Sequence, residues 1–291
     1  ESVVNNNFFP ILASFDVKQE SNDSTGLLIE VNSLFESDLP AFSGINSRLK
    51  KMYKVGGLDR KRSFIDSIKS FPQNIEAKHT MTYKAANPPS NSRSQTLTLQ
   101  MNQSMILLPE EPMVPRLYDH RVGWFTNKTV DYSSDALKAD EKTYIRKWRL
   151  VPKDKTAYMR GELVEPVKPI VYYIDPGTPA VWRPYIKQGV NDWQKAFEAA
   201  GFKNAIIAKD PPTKEEDPDW SPEDVRYSVI RYFASDIQNA YGPHVADPRS
   251  GEIIESDISG DVNDAEALGE KLAQTLLGLG AERILKQVYG S

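Results

Sequence analysis

Apolar and polar residues alternate along Asn74–Ala85, with Ile75, Ala77, His79, Met81 and Tyr83 on one parity and Glu76, Lys78, Thr80, Thr82 and Lys84 on the other. A period of two predicts a β-strand with one buried face. After the turn-forming NPPSNSR, Leu97, Leu99 and Met101 alternate with Thr96, Thr98 and Gln100, which predicts an antiparallel partner. Gly26–Val31 reads as a short apolar run, and the basic, glycine-containing segment Lys50–Arg62 as a loop. Closely spaced prolines between Pro109 and Pro115, followed by the polar stretch Asp131–Trp148, predict a connector or short helix and place a domain boundary near residue 150.

The pattern then changes. Pro169–Ile174 reads as a strand leading through DPGTP into a helix, because Trp182, Ile186, Val190, Trp193 and Phe197 recur three or four apart and share one face. Thr178 is the expected N-cap, Pro179 fits the first turn and Gly201 closes the helix. Ala205–Ala208 and Val225–Phe233 read as strands on either side of an acidic, proline-containing loop. Turns at Gly242-Pro243 and Asp247–Gly251 predict an edge strand and then a hairpin before Ile258. Asn263 and Glu266 form a capping-box pattern ahead of Leu268, Leu272 and Leu276, so a C-terminal helix is expected, ending at Gly278 and Gly280. The class expected is α+β: a β-rich amino-terminal domain over 1–150, a partial α/β domain with a twisted mixed sheet over 151–258, and a helical tail over 259–291.

Composition narrows the function. The 36 basic and 40 acidic residues leave a net charge of -4, with no basic surplus to neutralise a phosphate backbone, so nucleic acid is not an expected partner. The chain has no cysteine, which excludes thiolate catalysis, disulfides and cysteine-ligated zinc. No run approaches the ~20 apolar residues a membrane span requires, and the opening ESVVNNNFFP lacks a charged n-region and cleavage site, so a soluble mature chain is expected.

Three histidines, His79, His120 and His244, lie too far apart in sequence for the helical i, i+4 pair of a zinc site. His79 falls on the apolar parity of its strand and reads as a core side chain; His120, in YDHRVGW, reads as a surface-loop residue; Asp247, near His244, is explained by turn chemistry. Glu215, Glu216, Asp217, Asp219, Glu223 and Asp224 lack the spacing and glycine of a calcium loop and read as a solvated charged loop. GxSxG, GxxxxGK[ST] and GxGxxG are absent. No metal site and no catalytic residue are therefore expected in this chain.

Long phrases nevertheless carry a resemblance: RKRSFIDSIKSFPQNIEAKHTMTY, MNQSMILLPEEPMVPRLYDHRVGWFT and EKTYIRKWRL in the first half, then EPVKPIVYYIDPGTPAVWRPYIKQGVNDWQKAFEAAGFKNAIIAKD and VRYSVIRYFASDIQNAYGPHVADPRSGEIIESDI. Over roughly residues 26–258 the chain resembles bacterial, Bacteroidetes-type zinc-dependent metalloproteases together with the domain of unknown function that precedes their peptidase domain. The resemblance implies that residues 169–258 are the upper half of a metzincin-like domain, with the strand Ala240, Tyr241, Gly242, Pro243, His244, Val245 and Ala246 bordering the cleft and pairing with extended peptide or protein substrate. None of these seven is a zinc ligand in that pattern. In the family, zinc is held by a following HExxHxxGxxH helix, whose glutamate activates bound water.

At Ile258 the sequence departs from the family, and DAEALGEKLAQTLLGLGAERILKQV is instead similar to the closing helix of hydroxymethylbilane synthases, whose cofactor-bearing cysteine is missing here. The expectation is a metalloprotease fragment without hydrolytic activity, the alternative being a non-catalytic peptide- or protein-binding module. The family's export implies a periplasmic or extracellular location, and the oligomeric state is not legible.

Overall fold

The computed structural model describes residues 11–89, 92–133, 137–233 and 240–260. The fold is β-rich α+β, as expected, and divides in sequence into two units, Glu1–Leu107 and Leu108–Ser291.

In the first unit, β1 (Val17–Glu20) and β2 (Leu27–Ile29) form an antiparallel ribbon, followed by α1 (Asn32–Glu36) and α2 (Ser47–Met52). Asn46 caps α2 by accepting from the Leu49 amide at 2.9 Å. A four-stranded antiparallel sheet comprises β3 (Val55–Leu58), β4 (Phe64–Ser70), β5 (Asn74–Ala85) and β6 (Thr96–Ile106). β5 is the centre: β3 and β4 share one of its edges and β6 takes the whole of the other. The expected pairing is present and runs on to Ile106. Lys50–Arg62 is not a loop, since it holds the end of α2, all of β3 and a 3-10 turn at Arg60–Arg62. Val55 and Leu58 pack on the core, but Gly56 and Gly57 between them erase the alternation that marks a strand.

Ile45, Met81 and Tyr83 centre the core of this unit, with Leu49, Leu97, Leu99 and Met101 around them. β5 is not buried on one face alone. Asn74, Glu76 and Thr82, on its polar parity, are also buried, and Glu76 accepts from Asn74 at 2.7 Å and Ser104 at 2.6 Å, so its burial is compensated. Ile75 is 42% exposed.

In the second unit, β7 (Thr126–Asp131) pairs antiparallel with β8 (Asp140–Ile145), which falls where a connector or short helix was expected over Asp131–Trp148. Both strands are polar, and Ile145 is the fully buried member, so hydrophobic period carried little signal. After α3 (Lys155–Met159), capped by Asp154, come β9 (Ile170–Ile174), α4 (Arg183–Asp192), α5 (Gln194–Ala199), β10 (Ile206–Lys209) and β11 (Ser228–Tyr232). They are followed by β12 (Ala240–Tyr241), β13 (His244–Ala246), β14 (Ile253–Ser256) and β15 (Ile258–Gly260). Among the described residues the mixed sheet has the order β10-β9-β11-β15-β12, with β12 its only antiparallel member. β13 and β14 pair separately as a hairpin.

Ile170, Tyr172 and Ile174 turn one face of β9 onto Val190, Ile186 and Phe197. Burial of a side chain such as Ile174, which is 0% exposed, contributes about 1.5–3 kcal/mol. The helix expected from 179 starts at Arg183 and is interrupted at Trp193. Thr178 is not its cap. The Asp175 carboxylate accepts from the Gly177 amide at 2.7 Å and its carbonyl from Thr178 at 2.9 Å, which commits Asp175–Thr178 to a turn. The Thr178 hydroxyl is buried without a partner among the described residues. Pro184, rather than Pro179, occupies the first helical turn. Gly201 ends α5 at φ +89°, as expected. The C-terminal helix expected beyond Asn263 lies outside the described residues. Among those described, no helix is long and apolar enough to cross a membrane.

Candidate functional site

The seven residues expected to border a cleft separate into two structures. Ala240 and Tyr241 form the antiparallel edge strand β12, in register with Gly260 and Ser259 of β15. Gly242 and Pro243 turn the chain, and the Pro243 carbonyl accepts from the Asp257 amide at 3.1 Å and the Ser256 hydroxyl at 3.3 Å. His244, Val245 and Ala246 then pair with β14 instead of extending the edge. Among the described residues β12 pairs only with β15, and Tyr241 is 64% exposed.

His244 anchors the hairpin. Its ring lies 5.5 Å from that of Phe125, and its Nε2 is 3.4 Å from Arg146 Nη1. A guanidinium only donates, so this contact calls for Nε2 as acceptor, the role it has in the neutral imidazole that carries its proton on Nδ1. Arg146 Nε donates to Asn127 Oδ1 at 2.7 Å, and Asn127 Nδ2 donates to the Asp247 carbonyl at 3.1 Å. β7, the residue after β8 and the hairpin are thereby joined through polar groups.

The turn of the hairpin is built on Asp247, which is completely buried. Its Oδ1 accepts from the Arg249 amide at 2.8 Å, both its oxygens accept from the Arg249 guanidinium, and Arg249 Nη2 also donates to the Pro109 carbonyl at 2.6 Å. Gly251 closes the turn, its amide donating to the Asp247 carbonyl at 2.8 Å. Alongside, Lys147 donates to the Gly251 carbonyl and accepts from Ile253, each at 2.9 Å, which lays Lys147 parallel to Glu252. Arg149 Nη2 bonds Glu252 and the Glu111 carbonyl.

Burial, and secondarily the Arg146 charge, hold the His244 pKa below its ordinary value near 6.5. As pH falls through that ordinary value, the unfolded chain takes up a proton that native His244 resists. Stability due to the neutral ring is therefore complete above about pH 6.5 and declines below it, down to the lowered native pKa. We expect the melting temperature to fall more between pH 8 and 5.5 for the natural chain than for His244→Gln, measured by circular dichroism. Equal falls would remove His244 from the acid response.

The other candidates are structural. His79 is 1% exposed in the first unit, with Nδ1 2.9 Å from the Phe35 carbonyl and its ring against Phe35. His120 is exposed beside Asp119. The acidic loop is not wholly solvated, because Asp224 is buried and paired with Arg226, while Trp220 packs on Tyr173 and Tyr227. Arg231, near the carboxyl ends of the parallel strands where α/β sheets place ligands, is already held by Asp257 at 3.1 Å and Asp175 at 3.8 Å. Among the described residues no three His, Cys, Asp or Glu side chains converge as metal ligands.

The sequence reading takes Asp247 as a turn residue, which it is, but gives no weight to Arg146, Asn127 or the ion pair of Asp247 with Arg249. One signal was available. Asp-x-Arg occurs at Asp119, Asp224 and Asp247, and in each case the arginine amide bonds the aspartate Oδ1 while the guanidinium folds back on the carboxylate, with amide distances of 2.9, 3.0 and 2.8 Å. Comparison with known families matches residues 1–153 to the family described as Domain of unknown function (DUF5117), a span that covers the first unit and continues through β7 and β8. No solved structure matches the chain.

Proposed function

Because the chain belongs to the DUF5117 family of domains of unknown function, we propose that it combines the accessory domain of an exported zinc-dependent peptidase with the substrate-holding part of the peptidase sheet, and captures extended peptide along β12. One observation carries this reading: the mixed sheet of the second unit ends in a short antiparallel strand, Ala240–Tyr241, whose far side pairs with no described strand. An extended peptide added there continues the ladder through main-chain hydrogen bonds, with side-chain pockets giving preference. The reading is supported by the resemblance of VRYSVIRYFASDIQNAYGPHVADPRSGEIIESDI to the metalloprotease family, which implies a substrate edge at these residues. Zinc hydrolysis needs ligands such as HExxH, which this sequence does not contain, so the activity assigned to this chain is capture rather than cleavage. Periplasm or cell surface is the compartment that goes with it.

The test is fluorescence anisotropy with a labelled library of extended decapeptides, alongside elemental analysis for zinc. Saturable binding is expected, weakened roughly tenfold or more by Tyr241→Pro, which removes a backbone donor from this two-residue strand and interrupts its ladder, and unchanged by His120→Ala on the exposed loop. Zinc is expected below about a tenth of an equivalent. Binding that ignores Tyr241→Pro overturns the assignment of the edge, and stoichiometric zinc with chelator-sensitive cleavage overturns capture without hydrolysis.

A further inference from the structure

The longest unpaired edge among the described strands is in the first unit. β6 spans 11 residues, TLTLQMNQSMI, and pairs only with β5 among the described residues. Its ladder is fixed by two bonds that continue the register at either end: the Leu107 amide donates to the Gln73 carbonyl at 2.8 Å, and the Ala85 amide to the Gln95 carbonyl at 2.9 Å. Antiparallel pairs alternate between bonded and non-bonded. The odd-numbered residues of β6 therefore bond β5, and Thr96, Thr98, Gln100, Asn102, Ser104 and Ile106 turn their amides and carbonyls outward. Thr98, Gln100, Asn102 and Ser104 are exposed.

Proteins usually blunt such an edge with charge, proline, a bulge or brevity. β6 has none of these: no residue in it is charged or proline, its register with β5 is unbroken, and it is long. Its own side chains hold it against β5, through Thr98 on Thr82 at 3.0 Å, Ser104 on Glu76 at 2.6 Å and Leu97, Leu99 and Met101 in the core.

We infer that β6 is a self-association edge, pairing antiparallel with β6 of a second copy about a two-fold axis at Met101. That register overlaps all 11 residues and satisfies the outward backbone groups of both strands. It also matches most of the side chains by chemistry. On one face Leu97 opposes Met105 and Met101 opposes itself, with Leu99 against Gln103; on the other Thr98 opposes Ser104 and Gln100 opposes Asn102, with Thr96 against Ile106. No like charges meet, in a chain of which 26% is charged. The shared symmetry makes the contact isologous and closed, so it stops at a dimer.

Sedimentation velocity of the full chain across a concentration series is the primary measurement, with hydrogen exchange at the amides of Thr98, Gln100, Asn102 and Ser104. A concentration-dependent dimer is expected, with those amides gaining protection as it forms and Gln100→Lys weakening it by roughly tenfold. Since the chain lacks cysteine, Met101→Cys should cross-link on mild oxidation, being a close, non-bonded pair in the dimer. Thr96→Cys should not, because its two copies lie roughly 33 Å apart along the strands. A monomer at ~100 μM with fast exchange at these amides overturns the inference. So do protection that ignores concentration, which means another part of the same chain covers the edge, and a dimer indifferent to Gln100→Lys that also fails to cross-link at 101.

Discussion

Gly251→Ala is expected to destabilise the second unit by about 2–5 kcal/mol, lowering its melting temperature by on the order of 5–15 °C. Two costs combine at this position. Gly251 sits at φ +75°, where a side chain is strained, and an added Cβ would lie 2.3 Å from the Ile145 carbonyl oxygen and 3.1 Å from its carbon. Both obstacles are backbone, so no rotamer change relieves them. The chains are held this close because Lys147 bonds Gly251 and Ile253 immediately next to Ile145. Gly161→Ala is the control: its φ is +82°, but nothing lies within 4 Å of the added carbon, so it carries the conformational cost alone, ~1–2 kcal/mol. Thermal denaturation followed by circular dichroism compares the two. If they melt alike, the approach of Gly251 to Ile145 is not a rigid feature of the fold.

Asp247→Ala should cost about 2–4 kcal/mol. The carboxylate is 0% exposed and holds Arg249 by its amide and guanidinium. The figure stays below that of a wholly buried pair, because the Arg249 side chain is 43% exposed and can return to water once released. Hydrogen bonds from Arg249, and next its backbone amide, hold the Asp247 carboxyl below its ordinary pKa against the opposing effect of burial. A depressed carboxyl contributes stability that is complete above its unfolded value, about 3.9, and is lost as pH falls through the native one. Urea denaturation of the natural chain and Asp247→Asn should therefore show a constant gap above pH ~5 that narrows below pH ~4. A gap unchanged down to pH 2.5 would mean that the contribution of Asp247 is geometric and not ionic.

The edge of the candidate site depends on both residues only indirectly. They hold the hairpin of β13 and β14, which follows β12 by the Gly242-Pro243 turn and precedes β15 by a single residue, Asp257. A variant that loosens the turn while leaving peptide capture intact would show that β12 is positioned by the sheet alone. Parallel loss of stability and binding would show that the hairpin sets the edge.

Several elements were legible from the chain because one physical signal dominated each. β5 over residues 77–83 and β6 over residues 96–101 show the alternation of a strand with an apolar face in the core, and β9 with α4 and α5 shows a switch from a strand to a helical face ending at Gly201, so local pattern and tertiary burial agree there. The same reasoning placed His79 in the core and the edge-and-hairpin order in Tyr241–Ile258. Elements whose stability comes from hydrogen bonding instead of apolar burial were not legible. β7 and β8 are polar, β3 is half glycine, and β15 is three residues long, Ile-Ser-Gly, and is a strand because β11 and β12 lie on either side of it. The Thr178 cap failed because Asp175 claimed the neighbouring amides first. The Arg146, Asn127 and Asp247 contacts join residues as many as 120 positions apart, a proximity created by closing the chain on itself and absent from any local window. By itself the sequence determined where apolar faces repeat, that the class is α+β, and that no cysteine or HExxH chemistry is present. Only the tertiary structure decided which polar groups are buried together and which strand edges remain open, because both depend on long-range partners that complete or fail to complete each backbone ladder.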